Sequence, residues 1–448
     1  MITFSLASVP HRVNLLRQVV ARVLPQCDRL HVFLNGYADV PSFLRHEKIT
    51  VARSQDHGDI GDNGKFFWGG ETEGYCFTLD DDVLPCETYA EEMIRRIERF
   101  DRRAVIANHG SVFHPVIGDY FRDRDVLQDI PTPSLVNGVG TGSIAWHSDT
   151  LRVSLADFPV PNMTDVWFAI LAKRQGVPLL VGERRNSRIT VLRDDNPGLY
   201  ERFCKSGTLQ TAAIRANGPW ENPGLTSLVH HGDRCYVLQG FNLSDHILKC
   251  LKRRGQFYEW DLLEAMQKLR SGGVWLDIGA NIGNHAVFFA AECAADLVVA
   301  VEPYRPVCDL LRRNLQANVA SDRFRVVEAA VYCDVDSIGL APGPIQNVGI
   351  TKVDLRETKL RVPAVSLDDL AANCDGRPIS VIKIDVEGAE LPVLEGGMDT
   401  IRRDLPLIAC ECQTDDRRRS VDAMLSPLGY TIVGRYGGTP IYIWEPGA

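Results

Sequence analysis

Short apolar runs alternate along the chain with amphipathic segments of helical length, and this pattern is typical of parallel β-sheets covered by helices. We therefore predict an α/β fold class. In the first half, the predicted strands cover residues 2–7, 30–34, 49–52 and 75–79, and the predicted helices cover 13–24 and 87–99.

The second half shows the same alternation after a stretch rich in residues that break helices and strands. This stretch includes residues 194–198 and 217–224, and it predicts a domain boundary near residue 225. Beyond it, we predict strands at 235–238, 274–278, 297–302, 324–328, 381–385 and 407–411, and helices at 258–269 and 306–318. A chain of 448 residues also exceeds the roughly 250–300 residues of a single core, so we predict two domains, 1–224 and 225–448.

The composition narrows the class of protein. With 45% apolar and 24% charged residues, it is that of a globular protein. The net charge of −9, without a long basic block, argues against nucleic acid as a partner. No stretch reaches the ~20 apolar residues of a transmembrane segment. The 12 cysteines are scattered without CxxC pairs, which favours a reducing compartment, and we expect the cytoplasm.

A glycine turn follows the strand predicted at 274–278. Gly279 permits a sharp turn, Gly283 lets the following helix approach closely, and Asn281 tolerates left-handed backbone. Glu302 ends the next strand, where a carboxylate can accept hydrogen bonds from both ribose hydroxyls of a nucleotide cofactor. A structural helix cap explains one acid, but it does not explain glycines and an acid in this order.

Four motifs follow one another in the second half, at residues 276–284, 301–303, 366–370 and 382–390. Together they resemble the FkbM-type S-adenosylmethionine-dependent methyltransferases, over residues 230 to 440 or so. The resemblance implies a Rossmann-like class I methyltransferase fold, S-adenosylmethionine as cofactor, and O-methylation, often of a sugar or polyketide hydroxyl. The cofactor-binding residues predicted from the turn and the resemblance are Asp277, Gly279, Asn281, Gly283 and Glu302.

Methyl transfer to a hydroxyl requires alignment of donor and acceptor and a base for the proton. Asp385 follows a strand at the edge where ligands bind in open α/β sheets, so it is the first catalytic candidate, with a structural cap as the alternative. Glu387 is the second candidate. Glu390 could share a helix face with Glu387 or be a surface residue, and His285 is more typical of packing than of a base.

Three consecutive aspartates, Asp80, Asp81 and Asp82, follow the apolar strand predicted at 75–79. Carboxylates select Mg²⁺ or Mn²⁺, which bind best when a diphosphate completes the coordination shell. Such an ion stabilises charge on a nucleoside diphosphate leaving group. The alternative is an acidic turn before the helix predicted at 87–99.

The order of the first strand, segment 8–12, segment 59–65 and the aspartates resembles the GT-A-type glycosyltransferases, over residues 1–215. The resemblance implies a GT-A-like nucleotide-sugar fold with a Mn²⁺ or Mg²⁺ ion bound by Asp80 and Asp82. The residues it implies for the nucleotide-sugar donor are Ala7, Pro10, Arg12, Asp62, Lys65, Asp80 and Asp81. For Lys65, the alternative is a surface cation. The histidine that completes the metal shell in this family is not obvious, which leaves His230 and His231 as candidates.

Asp165 is the candidate base for the predicted sugar transfer. It follows the glycine-rich segment 137–143, which is suited to lining an acceptor. In inverting members of the resembled group, an acid at this place removes the acceptor proton. The alternative is that Asp165 only caps its helix.

These features lead to the hypothesis of a bifunctional enzyme that transfers a sugar to a glycan or glycolipid acceptor and O-methylates a sugar hydroxyl. We expect it in surface polysaccharide or glycolipid biosynthesis, with peripheral association to membrane assembly machinery. Tethering two sites raises their effective mutual concentration to about the millimolar range. One rival is a methyltransferase whose first domain is an inactive glycan-binding module, and another is a binding protein with neither activity. Donor, acceptor, methylated position, linkage, reaction order and oligomeric state stay open.

Overall fold

The chain divides into two compact units. The computed structural model describes residues 1–128, 130, 133–182, 189–193, 207–341, 343, 351–354 and 360–447, so the breaker-rich run at 194–198 lies outside the described residues. One unit comprises Met1–Pro223 with Asp233–Cys235, and the other comprises Gly224–Gly232 with Tyr236–Ala448. Each contains β-sheets and helices, which confirms the predicted α/β class.

The first unit is built around a sheet of eight strands. The strands up to residue 191 are β1 (Ile2–Ser8), β2 (Arg29–Leu34), β3 (Ile49–Arg53), β4 (Tyr75–Leu79), β5 (Val83–Pro85), β6 (Val105–Ala107), β7 (His109–Phe113), β8 (Arg124–Gln128), β9 (Ser134–Val136), β10 (Gly138–Val139), β11 (Ser143–His147), β12 (Leu179–Val181) and β13 (Ile189–Val191). The α-helices are α1 (Val13–Val23), α2 (Ser54–His57), α3 (Tyr89–Arg99), α4 (Thr164–Gln175) and α5 (Thr208–Ala216). The large sheet has the order β3-β2-β1-β4-β11-β6-β12-β9, and smaller sheets are β10-β7-β8 and β13-β5.

The centre of this sheet positions the predicted site. Strand β1 pairs in parallel with β2 on one side and with β4 on the other. Phe4 of β1 stacks on Phe77 of β4, with ring centroids 4.4 Å apart. Because parallel strands end at the same edge of a sheet, the segment after β1 and the aspartates after β4 come together. Helix α3 begins at Tyr89, later than predicted, since β5 and a turn follow the aspartates.

The second unit contains a sheet of seven strands. The elements from residue 226 on are strands β14 (Thr226–His231), β15 (Arg234–Gln239), β16 (Val274–Ile278), β17 (Leu297–Val301), β18 (Phe324–Val327), β19 (Ala330–Val331), β20 (Ser337–Ala341), β21 (Lys352–Asp354), β22 (Arg361–Val365), β23 (Ile379–Ile384), β24 (Leu407–Glu411), β25 (Tyr430–Tyr436) and β26 (Ile441–Pro446). The helices are α6 (His246–Arg254), α7 (Trp260–Leu269), α8 (Asn284–Glu292), α9 (Arg305–Asn318), α10 (Leu367–Ala372), α11 (Glu390–Glu395), α12 (Met398–Asp404) and α13 (Asp415–Leu425). The seven strands have the order β18-β17-β16-β23-β24-β26-β25, and a four-stranded sheet has the order β19-β22-β20-β21.

The first five strands of this sheet are parallel, and β26 pairs in antiparallel fashion with β24 on one side and with β25 on the other. Strands β16, β17 and β24 are buried along their whole length, as expected for a parallel sheet covered on both faces. Strand β17 ends at Val301 and β23 at Ile384, each one residue earlier than predicted. Glu302 and Asp385 are therefore the first residues of loops at the carboxyl edge.

Helix α7 begins at Trp260 instead of the predicted residue 258. Glu259 has a left-handed backbone with φ 56°, which an α-helix does not continue through. Within the part of the chain that the structure describes, no helix combines the length and apolar character that crossing a membrane requires.

Candidate functional site

A cavity of about 270 Å³ opens at the carboxyl edge of the second unit's sheet. Its wall carries side chains from the ends of four adjacent parallel strands. They include Gly279, Asn281, Glu302, Asp385, Glu387 and Glu411. Ligands bind at this edge in open α/β sheets, so this cavity is the candidate site of the second unit.

At the glycine turn after β16, the backbone of Gly279 packs directly against the backbone of Asp385. Gly279 has φ 79°, and a Cβ atom there would lie 1.9 Å from the carbonyl oxygen of Asp385. Asn281 also has a positive φ, 48°, and its Oδ1 is buried without a hydrogen-bond partner among the described residues. Gly283 does not line the cavity; a Cβ atom there would lie 2.6 Å from Leu311 Cδ1, so its smallness serves helix packing.

Two backbone N–H groups hold the Glu302 carboxylate in place, one from the glycine turn and one from the loop that follows Glu302. Its Oε2 accepts a hydrogen bond from the N–H of Asn281 at 3.1 Å, and its Oε1 accepts one from the N–H of Tyr304 at 2.9 Å. Burial raises the pKa of Glu302 to about 7, although these hydrogen bonds oppose the rise. The carboxylate is thus held rigidly, and each oxygen retains a lone pair for a ligand hydroxyl.

Asp277 occupies a different place from the one predicted. It is 0% exposed within β16 and does not line the cavity. Its Oδ1 lies 3.1 Å from Lys383 Nζ. The same Nζ lies 3.6 Å from Asp385 Oδ2 and donates a hydrogen bond to the carbonyl oxygen of Gly279 at 3.2 Å. Asp277 therefore positions Lys383 behind the cavity wall. The sequence analysis did not single out Lys383, since a lysine in a strand usually faces solvent.

Three acidic side chains converge opposite Glu302. Carboxylate oxygens of Asp385, Glu387 and Glu411 lie within 4.8 Å of one another. Gln413 Nε2 donates to Glu387 Oε2 at 2.9 Å and to Glu411 Oε2 at 3.2 Å. Burial, followed by the charges on Asp385 and Glu387, raises the pKa of Glu411 to about 8. We define Asp385, Glu387 and Glu411 as the carboxylate cluster.

Sequence reasoning missed Glu411 as a site residue. It was predicted only as the last residue of a strand, and its acidic character at a strand's carboxyl end was the available signal. The missing information was that β24 pairs directly with β23, which ends at Asp385.

Two expectations around the carboxylate cluster were wrong. Glu387 and Glu390 do not share a helix face, because Glu387 has φ 53°, Gly388 has φ 114° and the helix begins only at Glu390. Glu390 is not a surface residue either. Its carboxylate is buried and forms an ion pair of 2.6 Å with Arg417 Nη1. His285 does more than pack, since its Nε2 lies 3.3 Å from Glu259 Oε2.

The first unit has its own cavity, of about 620 Å³, at the carboxyl ends of β1 and β4. Most of the residues predicted for donor, metal and base line it. These are Ala7, Arg12, Asp62, Lys65, Asp80, Asp81, Asp82 and Asp165. Pro10 is not part of the lining; it belongs to a 3₁₀ turn over residues Pro10–Arg12.

Cations of the chain neutralise the aspartates. Lys65 Nζ lies 2.6 Å from Asp80 Oδ1, and only 4% of the Lys65 side chain is exposed, so Lys65 is not a surface cation. Arg12 Nη1 lies 3.0 Å from Asp81 Oδ1 and 3.1 Å from Asp82 Oδ2. Burial and the charge on Asp80 raise the pKa of Asp82 to about 6.

Asp165 lies in the first turn of α4 but does not cap it. Its Oδ1 accepts hydrogen bonds from the N–H of Thr141 at 2.8 Å and from Thr141 Oγ1 at 2.7 Å. The neighbouring Thr164 Oγ1 donates to Asp62 Oδ2 at 2.6 Å. Asp62 Oδ1 is buried and has no hydrogen-bond partner in the described parts of the chain. Asp165 thus orders the glycine-rich loop beside the cavity.

The three aspartates of the first unit do not bring three potential ligand atoms within 4.8 Å of one another. Among the residues that the structure describes, the carboxylate cluster of the second unit is the sole convergence of three metal-ligating side chains. His230 and His231 belong to the second unit, where His231 Nε2 lies 3.4 Å from Glu292 Oε2. His109, which the sequence analysis missed, lines the first unit's cavity.

The second unit's parallel sheet, with a glycine turn after one strand and an acid after the next, defines a Rossmann-like nucleotide-cofactor-binding domain. Residues 277–431 match the family model described as the Methyltransferase FkbM domain. The second unit therefore carries an FkbM methyltransferase domain, as the resemblance of that half predicted. The resemblance of the first half to GT-A-type glycosyltransferases stays a prediction.

Two curated relatives resemble part of the chain. The chain is 29% identical over 131 residues to the hexuronic acid methyltransferase AglP of Haloferax volcanii, covering 29% of this chain and 52% of that protein. It is 29% identical over 153 residues to the methyltransferase sdnD of Sordaria araneosa, covering 27% of this chain and 59% of that protein. The chain thus spans little more than half the length of these relatives.

Two solved structures are similar over a larger share of the chain. The methyltransferase FkbM of Methylobacillus flagellatus KT has 20% identity and a TM-score of 0.29, with 40% of this chain and 44% of that chain covered. Sp1610 of Streptococcus pneumoniae, in complex with S-adenosyl-L-methionine, has 16% identity and a TM-score of 0.28, with 42% of this chain and 72% of that chain covered.

Proposed function

We propose that the second unit transfers a methyl group from S-adenosylmethionine to a sugar hydroxyl. The observation that carries this proposal is a single cavity with the glycine turn and Glu302 on one side and the carboxylate cluster on the other. The match of residues 277–431 to the FkbM domain supports the same chemistry.

The residues at the turn fit an adenosyl cofactor. Gly279 lets the turn pass directly against the backbone carbonyl of Asp385, and Asn281 Oδ1 is a buried acceptor without a partner among the described residues. Glu302 offers oxygens that match ribose hydroxyls. We assign Glu302 to the ribose, the Gly279–Asn281 turn to close backbone contact, and Asp277 to indirect support through Lys383.

S-adenosylmethionine, when bound, supplies an electrophilic methyl group. The chain's part is to align the acceptor hydroxyl and take its proton. We assign hydroxyl orientation to Asp385 and Glu387 and proton acceptance to the carboxylate cluster as a whole. With its pKa near 8, Glu411 holds a proton near neutral pH and can exchange it there, which suits an acid–base group of the carboxylate cluster.

The acceptor class follows from chemistry and from one relative. AglP is named a hexuronic acid methyltransferase, which supports a sugar acceptor for this chain. The charges on Asp385 and Glu387, which raise the pKa of Glu411, also repel an anionic group, so we propose that a neutral hydroxyl, and not a sugar carboxylate, faces this edge.

Incubating the full chain with methyl-labelled S-adenosylmethionine and a panel of uronic-acid and neutral oligosaccharides tests this function. We expect label in an alkali-stable methyl ether. Label in an alkali-labile methyl ester would contradict the hydroxyl assignment. Absence of any labelled sugar, in a protein that binds S-adenosylhomocysteine, would contradict the sugar assignment.

Glycosyl transfer by the first unit is a second candidate function. It is favoured by the cavity of about 620 Å³ that gathers Arg12, Asp62, Lys65 and the three aspartates. We propose a nucleotide-sugar donor there, with Asp165 as the base if it leaves Thr141. The rival is that this cavity only binds a glycan.

The residues present do not fit a metal ion held by the protein alone, because Asp80 and Asp82 already contact Lys65 and Arg12. Mg²⁺ is often bound by one or two carboxylates plus substrate phosphates, so any ion would arrive with the donor. Thermal shifts with a panel of nucleotide sugars, with and without Mn²⁺, test this second candidate, since a ligand of the folded state raises its stability. No shift with any nucleotide sugar would favour the glycan-binding rival.

A further inference from the structure

Tyr258 and Glu259 form part of the wall of the second unit's cavity. Glu259 has a left-handed backbone with φ 56°, which is disfavoured for a residue with a long side chain. Such conformations persist only where the surroundings enforce them, and they are concentrated at ligand-binding sites. The conformation of Glu259 therefore calls for a functional explanation.

The start of helix α8 holds this segment in place. Asn284 Oδ1 accepts a hydrogen bond from the N–H of Tyr258 at 2.9 Å, and Asn284 Nδ2 donates to the Tyr258 carbonyl at 3.1 Å. The next residue, His285, places Nε2 3.3 Å from Glu259 Oε2. Because both residues directly follow Gly283, the glycine turn and the Tyr258–Glu259 segment form one assembly.

Glu259 does not act as a helix cap. It is the residue before helix α7, but its side chain makes no capping hydrogen bond. Its side chain is only 11% exposed. Burial alone raises the pKa of Glu259, but the contact with His285 and the charges on His285 and Lys383 outweigh burial and hold this pKa below its usual value. Glu259 is thus an anion in the cavity wall at neutral pH.

The strand order separates the side of the turn that carries Glu302 from the side that carries Asp385. Glu302 follows β17 and Asp385 follows β23, on opposite sides of the turn after β16. The charge on Asp385 contributes to the raised pKa of Tyr258, and the charge on Lys383 contributes to the lowered pKa of Glu259. The Tyr258–Glu259 segment therefore lies near the Asp385 side of the turn, away from the acid assigned to ribose.

We infer that Glu259 binds the α-ammonium group at the amino-acid end of S-adenosylmethionine, an inference that rests on the proposed methyl transfer. A buried carboxylate and an ammonium form a charge-assisted hydrogen bond, stronger than one between neutral groups. His285 positions Glu259 for this contact, and Asn284 fixes the backbone from which Glu259 projects. Glu302 and Glu259 thus recognise opposite ends of one ligand.

Titration calorimetry with two nucleosides tests the inference. S-adenosylhomocysteine carries the amino-acid end, whereas 5′-methylthioadenosine lacks it. We expect Glu259→Gln to weaken S-adenosylhomocysteine binding about 10- to 100-fold and to leave 5′-methylthioadenosine binding within about twofold. Glu264→Gln, on the exposed face of α7, is the matched control and should change neither affinity.

Three outcomes would overturn the inference. Equal loss for both nucleosides would move Glu259 to the ribose or adenine side, and unchanged affinity for both would remove it from the binding site. A loss confined to S-adenosylmethionine, with S-adenosylhomocysteine unaffected, would assign Glu259 to the sulfonium charge. If the wild-type chain binds neither nucleoside, the proposed methyl transfer fails instead.

A measurement on the wild-type chain covers the case in which Glu259→Gln does not fold. An S-adenosylhomocysteine analogue that lacks only the α-amino group should bind about tenfold or more weakly than the parent compound. Equal affinities would contradict an ammonium contact with any carboxylate of the cavity.

Discussion

The two cavities start from the same sequence signal, an apolar strand that ends in acidic residues, but they differ in how far cations of the chain pair with those acids. In the first unit, Lys65 and Arg12 contact all three aspartates. In the second unit, Lys383 is shared between Asp277 and Asp385, and Glu411 is left among other acids with a pKa of about 8. Neighbouring side chains, and not the acids themselves, decide whether such a site suits phosphate binding or proton transfer.

Asp385→Asn should have the largest effect. We expect methyl transfer to fall about 10²–10⁴-fold, because the variant loses the carboxylate that we propose orients or deprotonates the acceptor. S-adenosylhomocysteine affinity should stay unchanged in calorimetry. Asp399→Asn, an exposed acid of the same unit, is the control. Loss of nucleoside binding in folded Asp385→Asn would place this residue in the cofactor subsite.

Glu302→Gln should weaken binding of both S-adenosylhomocysteine and 5′-methylthioadenosine about 10- to 100-fold, because both carry the ribose that this acid is assigned to hold. Calorimetry on variant and wild type measures the effect, with thermal unfolding as the check on folding. If Glu302→Gln weakened binding of S-adenosylhomocysteine alone, Glu302 would contact the amino-acid end of the cofactor and not the ribose.

Asp82→Ala should weaken binding of a nucleotide sugar in the presence of Mn²⁺ about tenfold, as expected for one lost charge-assisted contact. S-adenosylhomocysteine binding should be unaffected, since units with separate cores need not share ligands. Unchanged nucleotide-sugar affinity would remove Asp82 from the donor site. Joint loss of both ligands in a folded protein would end the assignment of one independent site to each unit.

Besides any loss of methyl transfer, Glu411→Gln should change the pH dependence of stability. The pKa of Glu411 rises from an ordinary 4.5 to about 8 on folding, so between these values the folded state retains a proton that the unfolded state releases. The stability contributed by this group is fully present below about 4.5 and is lost as pH rises towards 8. Thermal unfolding across this range should show a weaker decline in Glu411→Gln than in wild type. Identical pH profiles would contradict the raised pKa.

The sequence predicted the elements that build both edges. Buried parallel strands such as β16 and β17 appear as continuous apolar runs, and Gly279 and Glu302 at their ends mark the turn and the acid. The first unit's aspartates were likewise found from their place after β4.

The missed features depend on neighbours that are remote in sequence. Lys383 is buried only because Asp277 on the adjacent strand pairs with it, and Glu411 joins the site only because β24 lies beside β23. The shared helix face expected for Glu387 and Glu390 failed because helical spacing says nothing about a left-handed turn at Gly388. Strand order and backbone handedness are the information that periodicity lacks.

Titration of the full-length chain with S-adenosylhomocysteine tests the central claim, a cofactor site at the glycine turn of the second unit, most directly. We predict saturable binding at one site per chain, retained in Asp82→Ala and weakened at least tenfold or so in Glu302→Gln. Absence of binding to the wild-type chain, or equal binding to wild type and a folded Glu302→Gln variant, would contradict the claim.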